Sequence, residues 1–109
     1  VRDYIHVVDL AEGHVAALKT HARETGVFTY NLGTGNGFSV LEIVAAFAQA
    51  SGRPVPYQIT DRRPGDVAQC YADPTLAREK LGWQATRDLA AMTADAWRWQ
   101  SANPNGYDA

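Results

Sequence analysis

The feature that most constrains this chain is a proline-glycine corner with charges on both sides, within Asp61-Arg62-Arg63-Pro64-Gly65-Asp66-Val67-Ala68-Gln69-Cys70-Tyr71-Ala72-Asp73. The proline ring fixes its own φ and the glycine tolerates a positive one, as the two central positions of a tight turn require. The backbone must reverse here with little freedom, which holds Arg62, Arg63 and Asp66 at one corner. A guanidinium matches phosphate oxygens two at a time and a carboxylate accepts from sugar hydroxyls, so one reading is a clamp for a sugar phosphate or nucleotide. A solvated turn with an ordinary surface ion pair accounts for the same residues, and local chemistry leaves both readings open.

The rest of the chain limits what such a corner can serve. Its 109 residues suffice for about one domain. A net charge of −2 gives no general attraction to nucleic acid or an anionic membrane, so an anion site must be local. Cys70 is the one cysteine, which excludes an internal disulfide and fits a reducing cytoplasm. No apolar run has the length of a membrane span. The opening Val1-Arg2-Asp3-Tyr4-Ile5-His6-Val7-Val8 reads as a strand without an earlier partner, and we expect a piece of a longer protein.

In chain order, residues 4–8 predict a short strand, and Asp9 an N-cap for a helix over residues 9–23 with Ala11, Val15, Leu18 and Ala22 as its buried stripe. His14 beside that stripe reads as a packing residue. Gly26 stops the helix, and residues 27–32 predict a second strand. Gly33-Thr34-Gly35-Asn36-Gly37 leads to Ser39 and Glu42, a capping box that starts a helix carrying Val40, Val44 and Phe47 on one side and closing at Gly52. A third strand over residues 55–60 enters the corner and a very short fourth follows at residues 69–72. Asp73-Pro74 opens a helix to Leu81, closed by Gly82, with Trp83 as a packing anchor. Thr86 or Asp88 opens the last helix, with Leu89, Met92, Ala96 and Trp99 as one stripe and Trp97, on another face, packed beneath a neighbouring segment. The tail at residues 107–109 is expected to be loose.

A strand, a glycine-rich turn and a helix together suggest dinucleotide binding, but the third glycine of G-x-G-x-x-G falls on Phe38. We read these glycines as the means of turning sharply into a capped helix.

Several segments in this order resemble one family: Arg2-Asp3-Tyr4-Ile5-His6-Val7-Val8-Asp9-Leu10-Ala11, Tyr30-Asn31-Leu32-Gly33-Thr34-Gly35, Arg62-Arg63-Pro64-Gly65-Asp66, Ala72-Asp73 before a helix with Leu81-Gly82-Trp83, and the closing Trp97-Arg98-Trp99-Gln100 and Pro104-Asn105-Gly106-Tyr107. Nearly the whole chain resembles the C-terminal part of nucleotide-sugar enzymes of the extended short-chain dehydrogenase/reductase family, and the full set points to its UDP-sugar 4-epimerases. The resemblance implies an α/β protein of which residues 1–109 are a small mixed α+β C-terminal substrate-binding domain, with the Rossmann half absent.

It also implies roles. Arg2 and Arg63 match the family's two arginines on the UDP diphosphate, and Asp66 matches its acid on the uridine ribose. Val40 matches an apolar residue against the nucleotide, while Tyr4, in the same motif as Arg2, supports more than it touches. Cys70 stands where the family lines the pocket around the sugar 2-substituent. A small residue there resembles forms that accept N-acetylated UDP-sugars beside UDP-glucose and UDP-galactose, whereas a bulky one overpacks the site.

The implied full-length activity is transient oxidation at sugar C4 by NAD, rotation of the 4-keto sugar and return of hydride to its other face. That enzyme is expected to be a cytoplasmic homodimer. The 109 residues contain neither a dinucleotide fingerprint nor a Tyr-x-x-x-Lys pair, so alone they are expected to be inactive. Another extended-family enzyme, a dehydratase or decarboxylase, and a free-standing non-enzymatic module are the competing readings.

Overall fold

The computed structural model describes residues 1–107, so the expectation for Asp108 and Ala109 lies outside them. Four helices follow in order: α1 (Val7–Thr20), α2 (Val40–Ser51), α3 (Thr75–Leu81) and α4 (Leu89–Ala102). α2 packs on α4, and α1 packs on α3. The four expected strands are not formed among the described residues, where β pairing is limited to two isolated bridges, Arg2 with Phe38 (antiparallel) and Arg2 with Cys70 (parallel). The physical reason is pairing: residues 27–32 and 55–60 carry strand-like side chains, but no ladder neighbour lies beside them in these residues. Val27 and Ile59 are 94% and 82% exposed, so their apolar pattern is not spent on a core here.

α1 differs most from the sequence expectation. It begins at Val7, two residues before Asp9, and its N-cap is His6, whose ring Nδ1 accepts from the Val8 N–H at 3.0 Å. That bond requires a lone pair on Nδ1, so Nε2 carries the proton and donates to Asp95 Oδ2 at 2.8 Å. This tie joins the start of α1 to α4. The hydrogen bond from His6, helped by Arg98, holds the Asp95 carboxyl below its ordinary pKa. α1 ends at Thr20 instead of Arg23. The expected stripe of Ala11, Val15, Leu18 and Ala22 is exposed, and the face that packs carries Asp9 and Gly13. Gly13 permits this: a Cβ there would stand 2.8 Å from Leu32 Cδ1 and 3.2 Å from Trp83 Cε2. Trp83 is the anchor that the sequence predicts. It is 5% exposed, and its indole N–H donates to the Asp9 backbone carbonyl at 2.9 Å.

The other helix boundaries follow their caps. Ser39 Oγ accepts from the Glu42 N–H at 3.2 Å while the Glu42 carboxylate accepts from the Ser39 N–H at 2.7 Å, so the predicted capping box starts α2. Gly52 closes it in the left-handed conformation. α3 starts one residue later than the pattern suggests, with Pro74 instead of Asp73 at its N-cap and no side-chain cap there; Asp73 Oδ1 accepts from the Thr75 N–H at 3.1 Å just ahead of the first turn. Asp88 caps α4 through Ala91 N–H. Trp97 is half-buried with the Arg53 guanidinium over its ring, the packed arrangement expected of it. Replacing Ser39 with alanine is expected to lower stability by about 1 kcal/mol, measured as a shifted urea midpoint at unchanged slope.

Candidate functional site

Arg2 sits where three segments meet. Its N–H donates to the Phe38 carbonyl at 3.0 Å and its carbonyl accepts from the Phe38 N–H at 2.8 Å. On the other side the Cys70 N–H donates to the Val1 carbonyl at 3.0 Å. The Arg2 guanidinium then reaches sideways, donating from Nη1 to the Val1 carbonyl at 2.8 Å and to the Val67 carbonyl at 3.0 Å. Val67 is the residue after Asp66, so Arg2 is bonded directly to the segment leaving the corner.

The corner has the geometry its sequence dictates. The Asp66 N–H closes onto the Arg63 carbonyl at 3.2 Å, with Gly65 at φ 83° between them. Within this turn Arg63 Nε donates to Asp66 Oδ2 at 3.0 Å and Nη2 to Oδ1 at 3.4 Å. The Arg63 side chain is 83% exposed, so water screens this pair and it contributes little to stability. The same exposure makes it cheap to open: Arg63 can leave Asp66 for a stronger anion at small cost, and the carboxylate is then free to accept from hydroxyls.

The remaining predicted residues divide. Cys70 is exposed and belongs to the stretch that bridges Arg2. Val40 is 64% exposed at the first position of α2, two residues beyond the Phe38 bridge. Arg2, Val40, Arg63, Asp66 and Cys70 are therefore carried by segments joined through Arg2. Tyr4 is not among them. It lines an open apolar groove with Ile43 and Phe47 of α2 and Met92 and Trp99 of α4.

Asp3 is the residue that sequence reasoning passed over. Its Oδ1 accepts from the Thr34 N–H at 3.0 Å and the Thr34 hydroxyl at 2.7 Å, and its Oδ2 from the Gly35 N–H at 3.0 Å and the Ala72 N–H at 3.2 Å. Partial burial pushes this carboxyl up, but the four hydrogen bonds outweigh it and hold the group below its ordinary pKa. The available signal was an acid beside Arg2 and a Gly-Thr-Gly turn whose N–H groups needed an acceptor. That acceptor also bears on the dinucleotide reading. The turn's N–H groups at Thr34 and Gly35 are already spent on Asp3, so these residues do not fit the pyrophosphate of NAD. Among the described residues no group of three or more His, Cys, Asp or Glu side chains comes together as metal ligands would, and no helix is long and apolar enough to cross a membrane.

Comparison with known proteins adds to this geometry. Residues 1–96 match the family described as GDP-mannose 4,6 dehydratase. The chain is 64% identical over 107 residues to a UDP-glucose 4-epimerase of Bacillus subtilis, covering 98% of this chain and 32% of that protein. It superposes with a TM-score of 0.88 and 55% identity on the crystal structure of UDP-glucose 4-epimerase from Bifidobacterium longum in complex with NAD+ and UDP, covering 96% of this chain and 31% of that one. A Stenotrophomonas epimerase with bound NAD and formylated UDP-arabinopyranose gives a TM-score of 0.87 at 48% identity, covering 94% of this chain and 30% of that one. The chain thus spans about a third of the length of the curated relatives it matches.

Proposed function

As this chain belongs to the GDP-mannose 4,6 dehydratase family, within the extended short-chain dehydrogenases/reductases, we propose that residues 1–109 are the nucleotide-sugar-binding C-terminal part of a UDP-glucose 4-epimerase. The whole protein would interconvert UDP-galactose and UDP-glucose as a cytoplasmic homodimer. The observation that carries this reading is the hydrogen bond from the Arg2 guanidinium to the Val67 carbonyl, which sets one arginine against the corner that holds the other. Arg2 and Arg63 would each present a fork to the UDP diphosphate, and Asp66, released by Arg63, would accept from the ribose hydroxyls. Val40 offers an exposed apolar contact at the start of α2 for the nucleotide. Tyr4 is assigned to packing, since it lines the apolar groove. Cys70, small and exposed, leaves room beside the sugar 2-substituent, and on this ground the protein should accept UDP-N-acetylglucosamine as well.

NAD, which supplies the hydride chemistry, would be held by residues outside these 109, because the glycine turn is closed by Asp3. The contribution of this part is grip at the nucleotide end. The mixed α+β character expected from sequence belongs to this proposal: the extended residues 27–32 and 55–60 would gain their ladder partners in the complete protein.

The test is calorimetric titration of UDP into the full-length protein and its Arg63→Ala variant. Removing a charge-assisted fork should weaken UDP binding about 10–100-fold. Equal affinities would remove the clamp. Exchange of UDP-galactose with UDP-glucose separates this reading from a dehydratase, which would release water from the sugar.

A further inference from the structure

We propose that Asp3 is a positioning residue for diphosphate binding, fixing Arg2 between the turn at Gly33–Gly37 and the stretch at Cys70–Ala72; this inference rests on the nucleotide-sugar reading above. Arg2 meets the turn side through its backbone bonds to Phe38, while the other segment is met by the Val1 carbonyl, which accepts from the Cys70 N–H, and by the Arg2 guanidinium at the Val67 carbonyl. Each bridge is a single pairing that continues into no ladder, so the bridges alone do not fix the angle between the segments. The next side chain in sequence removes that freedom. One carboxylate oxygen of Asp3 takes the N–H and hydroxyl of Thr34, and the other takes the N–H groups of Gly35 and Ala72. Asp3 therefore spans the same two segments that bracket Arg2, one residue along, with its acceptors pointed at donors from both. An ionised acceptor makes each of these bonds stronger than a neutral one would.

Gly33 shows how tightly the junction is drawn. A Cβ at that position would stand 2.6 Å from the Ala72 Cβ and 2.6 Å from Asp3 Oδ2. Its φ is ordinary, so close approach is the reason for glycine here. Backbone atoms of the turn, the Asp3 carboxylate and Ala72 share a space that admits no further carbon. A loosened junction would let Arg2 swing relative to Val67 and the corner, and a two-arginine clamp depends on the separation of its arms.

The experiment uses the full-length protein with Asp3→Asn, the milder Thr34→Val and Gly33→Ala, beside Arg63→Ala. An asparagine must aim an amide N–H at donors on one side of the junction, so it opens that side. A grip remote from the reacting carbon is felt alike in ground and transition states, so its loss appears in KM and not in kcat. The expected result is a rise of about tenfold in the UDP dissociation constant and in KM for UDP-galactose for Asp3→Asn and Gly33→Ala, about threefold for Thr34→Val, with kcat changed less than about threefold.

A merely structural role would instead reduce the folded fraction, lowering kcat per total protein and leaving KM in place. KM reports only on folded molecules, so it stays readable if a variant is partly unfolded. Unchanged KM and UDP affinity in Asp3→Asn and Thr34→Val, with Arg63→Ala weakened, would overturn the role of Asp3 and leave the clamp standing. Unchanged affinity in Arg63→Ala would overturn the underlying reading itself.

Discussion

Replacing Trp83 with alanine is expected to cost about 3–5 kcal/mol of folding stability, the range for removing a large aromatic from a packed site. Trp83 and Ala77 are the buried apolar residues among those described, so much of the packing of α1 onto α3 depends on this one ring. It lies against Gly13 of α1, where a Cβ would stand only 3.2 Å away, and its N–H holds the carbonyl of Asp9 at 2.9 Å. Neighbouring side chains cannot fill the vacated volume, because α1 faces it with a glycine. Trp83→Phe separates the two contributions. It keeps most of the apolar contact and loses the hydrogen bond, so it should cost about 1–2 kcal/mol. Urea unfolding followed by far-ultraviolet circular dichroism gives both values. A loss below about 1 kcal/mol for the alanine variant would mean that α1 is held mainly by its charged contacts.

The parts of the fold legible in sequence are those decided within a few residues. Ser39 with Glu42, Asp88, and the glycines at 52 and 82 act on N–H and carbonyl groups one turn away, and each is found doing so. The strands failed because a strand is a relation between segments. Residues 27–32 have the composition, but no strand among the described residues pairs with them. The α1 stripe failed for a related reason. Spacing shows that Ala11, Val15 and Leu18 share a face, but not that a glycine and a buried acid on another face meet Trp83. His6 was unreadable as a cap because histidine is not among the usual capping residues, and it serves here through a specific tautomer held by Asp95.

The candidate site divides along the same line. The corner is local, and its turn and its Arg63–Asp66 pair follow from Pro64 and Gly65. That Arg2, 61 residues earlier by number, bonds beside this corner came only from resemblance, since no periodicity relates the two. Asp3 was missed although its neighbour was singled out. An acid next to an arginine in an extended run reads as a surface pair, and only the structure shows four donors converging on it. Tyr4 shared a motif with Arg2 but lines the groove against α2 and α4; alternation would put residues 2 and 4 on one side, but the opening residues form only isolated bridges, so no ladder imposes that register.

Asp9→Ala should be as damaging as the loss of Trp83, and its effect should carry a pH signature that Trp83→Ala lacks. Asp9 is fully buried, yet its carboxylate accepts from the Arg87 N–H at 2.9 Å, the Thr86 N–H at 3.2 Å and the Arg87 guanidinium, which also meets Glu12. Truncation leaves those two backbone donors unpaired and the guanidinium with only one exposed partner, a change in the class that costs about 3–5 kcal/mol. Burial alone would raise the Asp9 pKa, but the hydrogen bonds from Arg87 and Thr86 and the charge of Arg87 prevail and lower it. A group with a depressed folded pKa contributes stability that is fully present above its unfolded value. That contribution is lost as pH falls through the folded value. Wild-type stability should therefore be level near neutrality and decline below about pH 4, where an unfolded carboxylate begins to bind protons. Asp9→Asn should be less stable at neutral pH and decline less steeply in acid. Some slope remains, because Asp3 and Asp95 are also depressed. Urea midpoints measured from neutral pH down into the acid limb decide this. An acid slope unchanged by Asp9→Asn would show that the carboxylate is not the group whose protonation loosens α1 from the turn before α4.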